Sequence, residues 1–279
     1  MKITLSRRNF LKFGLIGGIG CLVASYPFFI ERYLLQINQY NIPVQNLPDD
    51  FVNFKMIQLS DLHFGTLMPK FFIEQIINKA NSLEGDLIVC TGDYVLNESE
   101  SSQNIEMVWS LLKRLKAKFG VYSVLGNHDH WANFNMSYEC LNDSGQNIRH
   151  KAISIERNRN KIWIGGAGDL WEDEIGIDKA FQGVPRKECK ILLAHNPDTA
   201  DTQYTSRVDL MISGHTHGGQ VIIPFLGAPI LPVNNKKYSS GFIRSQNTDI
   251  FISRGIGWAV IPIRLNCYPE IAVLNLKKA

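Results

Sequence analysis

The chain has 279 residues, of which 45% are hydrophobic and 20% charged, a length and composition that suit one large domain with an appendage. Its formal charge is +3, but Lys2, Arg7, Arg8 and Lys12 supply four positive charges at the front and leave about −1 for everything after them. A near-neutral body lacks the basic stripe that a nucleic-acid surface requires, so no nucleic-acid partner is expected.

Ser6-Arg7-Arg8-Asn9-Phe10-Leu11-Lys12 resembles the twin-arginine export signal, and Phe13 to Ile30 follow without a charge. That run lies at the lower edge of a bilayer span, so residues 1–30 read as either a cleaved signal or an uncleaved membrane anchor. In both cases the positive residues stay inside and the body crosses. The expected partner is the twin-arginine export machinery, with a membrane surface nearby, and the expected location is extracytoplasmic, in the periplasm or cell envelope. Residues 31–51 contain Pro43 and Pro48 without a sustained period and read as a linker with a short strand. The remaining domain is placed at 52–279.

Lys55 to Ser60 is an apolar strand-like run that ends in Asp61-Leu62-His63. Pro69 then opens a helix over Lys70 to Ser82, with Phe72, Ile73, Ile76, Ile77 and Ala80 as its apolar stripe. Asp86 to Thr91 ends in Gly92-Asp93, and a helix is predicted from about Ile105 to Lys118 after the polar stretch Asn97 to Gln103. Gly120 to Leu125 ends in Gly126-Asn127-His128-Asp129. A short helix over Met136 to Ser144 and two strands around Asn158-Arg159-Asn160 follow. Asp169, Glu172 and Asp173 lie in a loop and read as solvated acids. Cys189 to Ala194 ends in His195, and Val208 to Ser213 ends in Gly214-His215-Thr216-His217-Gly218-Gly219. Short strands are expected at Val221 to Ile223 and near Gly241, Ile250 and Ile271. Residues at i and i+2 leave a strand on one side, so His215 and His217 are expected to aim into one pocket. Five strands thus deliver carboxylate, imidazole or carboxamide groups at their carboxyl ends, where open α/β sheets place ligands.

This series of blocks resembles the calcineurin-like metallophosphoesterases from about Phe54 to Leu276. The tail Ser253-Arg254-Gly255-Ile256-Gly257, Arg264 and Pro269-Glu270-Ile271 resembles the twin-arginine-exported phosphodiesterase branch, which includes lipid A pathway pyrophosphohydrolases. The resemblance implies an α/β fold, a four-layer αββα sandwich of two mixed sheets. It implies two divalent metal ions, Mn, Fe or Zn, in keeping with a ligand set of Asp, His and Asn without thiolate. Asp61, His63 and His217 would hold the first and Asn127, His195 and His215 the second, with Asp93 shared. A metal-bridging hydroxide would attack phosphorus in line, and His128, matching the family's non-ligand histidine, would touch a phosphate oxygen or protonate the leaving alkoxide. Asp129 would orient a ligand histidine.

Leu96 and Asn97 stand where protein-phosphatase-like members carry an acidic residue and an arginine, which shifts the expectation from monoesters to phosphodiesters. The Pro-rich apolar loop Pro224 to Val233, followed by Lys236 and Lys237, is a candidate lip for a lipid-linked phosphodiester. Two alternatives stand beside this reading: a UDP-2,3-diacylglucosamine pyrophosphohydrolase, whose substrate is cytoplasmic, and a non-catalytic cell-wall-binding metal protein. Cys21, Cys90, Cys140, Cys189 and Cys267 show no Cys-x-x-Cys spacing, which excludes zinc-ribbon and thioredoxin-like sites.

Overall fold

Alternation along the apolar runs decides which side chains face which layer. The computed structural model describes residues 7–97, 101–245 and 247–279. Within them, one sheet has the order β1 (Gln36–Val44), β11 (Glu270–Lys278), β2 (Lys55–Leu59), β3 (Leu87–Cys90) and β4 (Val121–Ser123). The other runs β5 (Ala152–Arg157), β6 (Asn160–Gly166), β7 (Cys189–Leu193), β8 (Leu210–Ser213), β10 (Ile250–Ile252) and β9 (Gly241–Ile243). Both are mixed: β2, β3 and β4 are parallel, as are β6, β7, β8 and β10, while β11 runs against β2, β5 against β6 and β9 against β10.

Met56, Leu87, Val89, Ile191, Leu193, Leu210 and Ile212 point between the sheets and form one dry layer. The alternate residues Ile57, Leu59, Ile88 and Cys90 point outward onto α2 (Lys70–Ser82), α3 (Ser101–Leu112) and α4 (Asn127–Asp143). Leu192 and Met211 face the opposite way, under α5 (Ile177–Ala180) and its adjoining loops. The sandwich therefore has four layers, the last of them thin.

The stripe expected on α2 is the buried one, and the helix has the expected bounds. Four local expectations change. The stretch read as a linker contains β1, a nine-residue strand parallel to β11. Glu270 fixes that edge, its Oε2 accepting from Asn38 Nδ2 at 2.7 Å and Tyr40 OH at 2.9 Å. The helix expected from Ile105 begins at Ser101 and ends at Leu112, where three-residue turns at Arg114 and Leu115 redirect the chain toward β4. Glu98, Ser99 and Glu100 of the preceding polar stretch lie outside the described residues. The short helix expected at Met136 is the second half of a segment that starts at Asn127 and kinks at Asn133. Val221–Ile223 makes isolated bridges with Leu265 and Gly227 rather than a strand, because Gln220 on one side takes a left-handed turn.

Ahead of the sheets, α1 (Arg7–Phe29) is long and apolar enough to cross a membrane, with mean hydropathy 1.8 over its best window. Lys2 and Ser6 of the leader lie outside the described residues.

Candidate metal centre

The strands that carry the nominated residues end level, and their hydrogen-bond ladders continue into the loops. Asp61 N–H donates to Gly92 O and His63 N–H to Asp93 O, each at 3.0 Å, and Gly214 N–H donates to His195 O at 3.0 Å. Between the sheets, Gln58 Nε2 donates to Thr91 Oγ1 at 2.9 Å and to Ser213 O at 2.8 Å, tying the two floors of the site together. Asp61, His63, Asp93, His215 and His217 all have φ between 47° and 71°. This left-handed region is uncommon outside glycine and is found at sites where surrounding structure overrides local preference. It also overturns the extended geometry expected of His215 and His217. Those residues are not extended, and their rings go to different clusters.

In the first cluster, Asp61, His63 and His217 come together. His63 Nε2 faces His217 Nε2 at 3.0 Å, and His217 Nε2 lies 3.5 Å from Asp61 Oδ1. In the second, Asp93, His195 and His215 converge, with His195 Nε2 3.1 Å from His215 Nδ1. Asp93 Oδ2 lies 3.5 Å from His63 Nε2 and 3.2 Å from His195 Nε2, so one carboxylate oxygen borders both clusters. The six side chains are at most 5% exposed.

Backbone carbonyls orient two of the rings. His195 Nδ1–H donates to Thr91 O at 2.7 Å and His215 Nε2–H to Pro232 O at 2.9 Å, which turns His195 Nε2 and His215 Nδ1 inward. Burial pushes His63 and His215 down to about 3, so both are neutral near pH 7. Burial also opposes charge on His195, but the adjacent Asp93 carboxylate outweighs it and raises the imidazole to about 10. Asp93 in turn is held well below the usual carboxylate range, against its burial, by His195 and His63. Burial lifts Asp61 to about 6.

Asn127 opens α4 and is 2% exposed, with its Oδ1 buried and without a hydrogen-bond partner. His128 is half-buried and packs edge-on against His63, with ring centroids 4.6 Å apart, while its N–H donates to Asp93 Oδ1 at 2.9 Å. Asp129 departs from its expected role beside a histidine. Its carboxylate accepts from the N–H groups of Asp93, Tyr94, Val95 and Gly126 at 2.8–3.3 Å, so it clamps two ligand loops to each other.

Several neighbours were read otherwise, or not as part of the site, in the sequence. Asp169, read as a solvated acid, is 1% exposed: Oδ1 accepts from Trp171 and Glu172 N–H, and Oδ2 is buried without a partner. Its place just beyond β6, beside the strand that ends at His195, was the one available clue. Arg264 is fully buried, with Nη2 3.4 Å from His217 Nδ1 and its other donors spent on the carbonyls of Gly257, Arg254 and Cys267. Trp171 packs edge-on against His215 at 4.6 Å and stacks on Trp131 at 6.3 Å, and both indoles are partly exposed. Lys236, nominated as a phosphate contact on the apolar lip, spends its ammonium on the carbonyls of Leu231 and Val233. All five cysteines are free thiols, and Cys267 Sγ donates to His217 O at 3.2 Å.

The donor set fits divalent cations. Inward-facing imidazole nitrogens, a carboxylate oxygen between them and an orphaned amide oxygen gather buried ligand atoms of the kind such cations take. A family profile described as calcineurin-like phosphoesterase matches residues 54–219. The uncharacterized metallophosphoesterase YkuE of Bacillus subtilis (strain 168) is 32% identical, and the match covers 98% of each chain. Phosphodiesterase YaeI of Escherichia coli (strain K12) is 32% identical over 82% of this chain and 84% of its own. A transmembrane protein with metallophosphoesterase domain from Danio rerio is 30% identical over 94% of this chain and 62% of its own. A profile that spans over half the chain, and likeness along nearly its full length, establish that it belongs to the calcineurin-like phosphoesterases and is a metal-dependent phosphohydrolase.

Proposed function

We propose that the chain is a phosphodiesterase acting outside the inner membrane on two divalent ions. The observation that carries this is the shared oxygen of Asp93, which lies 3.5 Å from a nitrogen of one cluster and 3.2 Å from a nitrogen of the other. Asp61, His63 and His217 would hold one ion, Asn127, His195 and His215 the second, and Asp93 would bridge them. Bound ions of this kind neutralise the phosphate, lower the pKa of a water and stabilise the oxygens of an in-line displacement.

The protein residues supply position and proton. The carbonyls of Thr91 and Pro232 hold the His195 and His215 rings in the tautomers that face inward. His128 stands at the edge of the clusters, where its imidazolium would donate a proton to the departing alkoxide. Burial holds its pKa below the ordinary histidine value. Water's oxygen would become bonded to phosphorus as the P–O ester bond breaks, the alcohol would leave with the His128 proton, and the proton released by the water would restore the imidazolium. Leu96 and Asn97 occupy the positions of the acidic residue and arginine of the phosphatase-like members, so the doubly charged end of a monoester lacks that clamp. A diester carries one charge and needs less.

The Arg7-Arg8 pair at the start of α1 supports export by the twin-arginine route, with residues 1–30 as signal or anchor and the metal domain on the outer side. The likeness to Phosphodiesterase YaeI supports the diester preference. The test is metal analysis of the purified chain, together with hydrolysis of mono-, di- and pyrophosphoesters with and without chelator. Two metal equivalents, fastest turnover of diesters and loss of activity with chelator are expected. Faster cleavage of monoesters or pyrophosphates would overturn the substrate assignment.

A further inference from the structure

Two loops beside the metal centre display large apolar side chains to solvent. Phe225, Leu226 and Ile230 are at least 75% exposed, Val260 is 92% exposed and Ile261 51%. Phe225 and Val260 hold φ of 67° and 58°. A branched or bulky residue in the left-handed region is strained, and exposing its apolar surface to water is a second cost. Neither cost is offset by packing within the chain, so the gain lies outside it.

The loops form one surface. Gln220 joins them, its Nε2 donating to Ala259 O and Ile261 O while its Oε1 accepts from Ala259 N–H. Ile222 N–H donates to Leu265 O, and Asn266 Nδ2 to Ile222 O. The same surface receives the end of α1. Arg264 N–H donates to Pro27 O at 3.2 Å, and Arg32 Nη1 to Pro262 O at 3.2 Å. Arg32 also lies over the rings of buried Trp258 and half-buried Tyr33, which fixes the end of α1 to the core. A bilayer that takes up α1, whose charge-free part, residues 13–29, is about 25 Å long, must therefore meet these loops.

The surface is also continuous with the ligand loops. Gly257 N–H donates to Asp61 O at 2.6 Å, and Gly219, two residues past His217, is packed against Ala228. We propose that the 221–230 and 258–266 loops insert into the bilayer that receives α1, so that the metal centre opens at headgroup depth and takes phosphodiesters from lipid headgroups. This inference rests on the phosphodiesterase reading for its substrate and on α1 for its membrane.

The test uses the full chain in a Cys21→Ser background, reconstituted into phosphatidylethanolamine and phosphatidylglycerol vesicles with nitroxide-bearing acyl chains. A polarity-sensitive dye is placed at Leu226→Cys or, as control, at Arg159→Cys, an exposed turn between β5 and β6 at the opposite end of the sheet. The inserted loop predicts a blue shift and several-fold stronger nitroxide quenching at residue 226 than at 159, and equal quenching would overturn it. In parallel, Phe225→Ser with Val260→Ser should slow cleavage of a vesicle-borne diester about tenfold, while a water-soluble diester is cleaved as before. Equal loss on both substrates would also overturn it. If the parent cleaves no soluble diester while residue 226 is still quenched, the phosphodiesterase reading fails and the membrane face stands.

Discussion

His195 Nδ1–H donates to the main-chain carbonyl of Thr91 at 2.7 Å, across the boundary between the two sheets. That bond chooses the tautomer and leaves Nε2 beside Asp93. In the metal-free chain the neighbouring carboxylate holds a proton there, with the imidazole raised to about 10. Cation binding must displace that proton, whereas His63 and His215, lowered to about 3, have none to lose at pH 7. Metal affinity should therefore rise between pH 7 and 10, by up to about tenfold per unit. Calorimetry in buffers of different ionisation enthalpy should detect proton release at pH 7, and a buffer-independent heat would contradict the assignment.

The same shift sets the stability of the metal-free chain. A histidine whose pKa rises on folding stabilises fully below its unfolded value, and that contribution is lost as pH climbs through the folded one. The melting temperature of the chelated protein should fall between pH 7 and 10. His195→Gln should flatten that slope, and an unchanged slope in the variant would place its origin elsewhere.

Asp129 offers one carboxylate to four N–H groups from two ligand loops. Asp129→Ala leaves buried donors unpaired, so it should cost on the order of 3 kcal/mol in denaturant unfolding. It should also weaken metal binding although the residue touches no metal. Loss of metal without loss of stability would argue against the clamp.

Gly214 has no room for a side chain: a Cβ there would overlap Ser60 Oγ and Asp61 Oδ2. Gly214→Ala should displace Asp61 and remove metal from the first cluster. Stoichiometry measured on the folded variant, its fold checked by circular dichroism, is the readout.

His128→Ala should slow cleavage of diesters with alkyl leaving groups by about a hundredfold, and of nitrophenyl diesters much less, because a good leaving group needs no proton. Equal losses on both would assign His128 to phosphate contact instead of proton donation.

Much of the frame was legible in the chain because it rests on local rules. Period-2 runs ending in polar residues located the floor of the site at Leu59, Cys90, Leu193 and Ser213, and the 3.6-residue stripe on Phe72, Ile73, Ile76, Ile77 and Ala80 located α2. β1 was legible only as a short strand, because Pro43 and a polar alternation masked the length of a strand whose partner, β11, lies at the other end of the chain. Asp169 escaped because burial of an acid is set by what closes over it, not by its neighbours in sequence.

The sequence by itself determined which residue types arrive at the strand ends, and thereby the family and the class of chemistry, since ligand identity and order are covalent facts. Only the tertiary structure brings those side chains together in space, with Asp93 Oδ2 3.5 Å from His63 Nε2 and 3.2 Å from His195 Nε2. It alone brought the loops carrying Phe225 and Val260 beside the end of α1. The reason is physical: left-handed backbone at five non-glycine positions is locally unfavourable, and it persists only because contacts between distant segments outweigh the local preference.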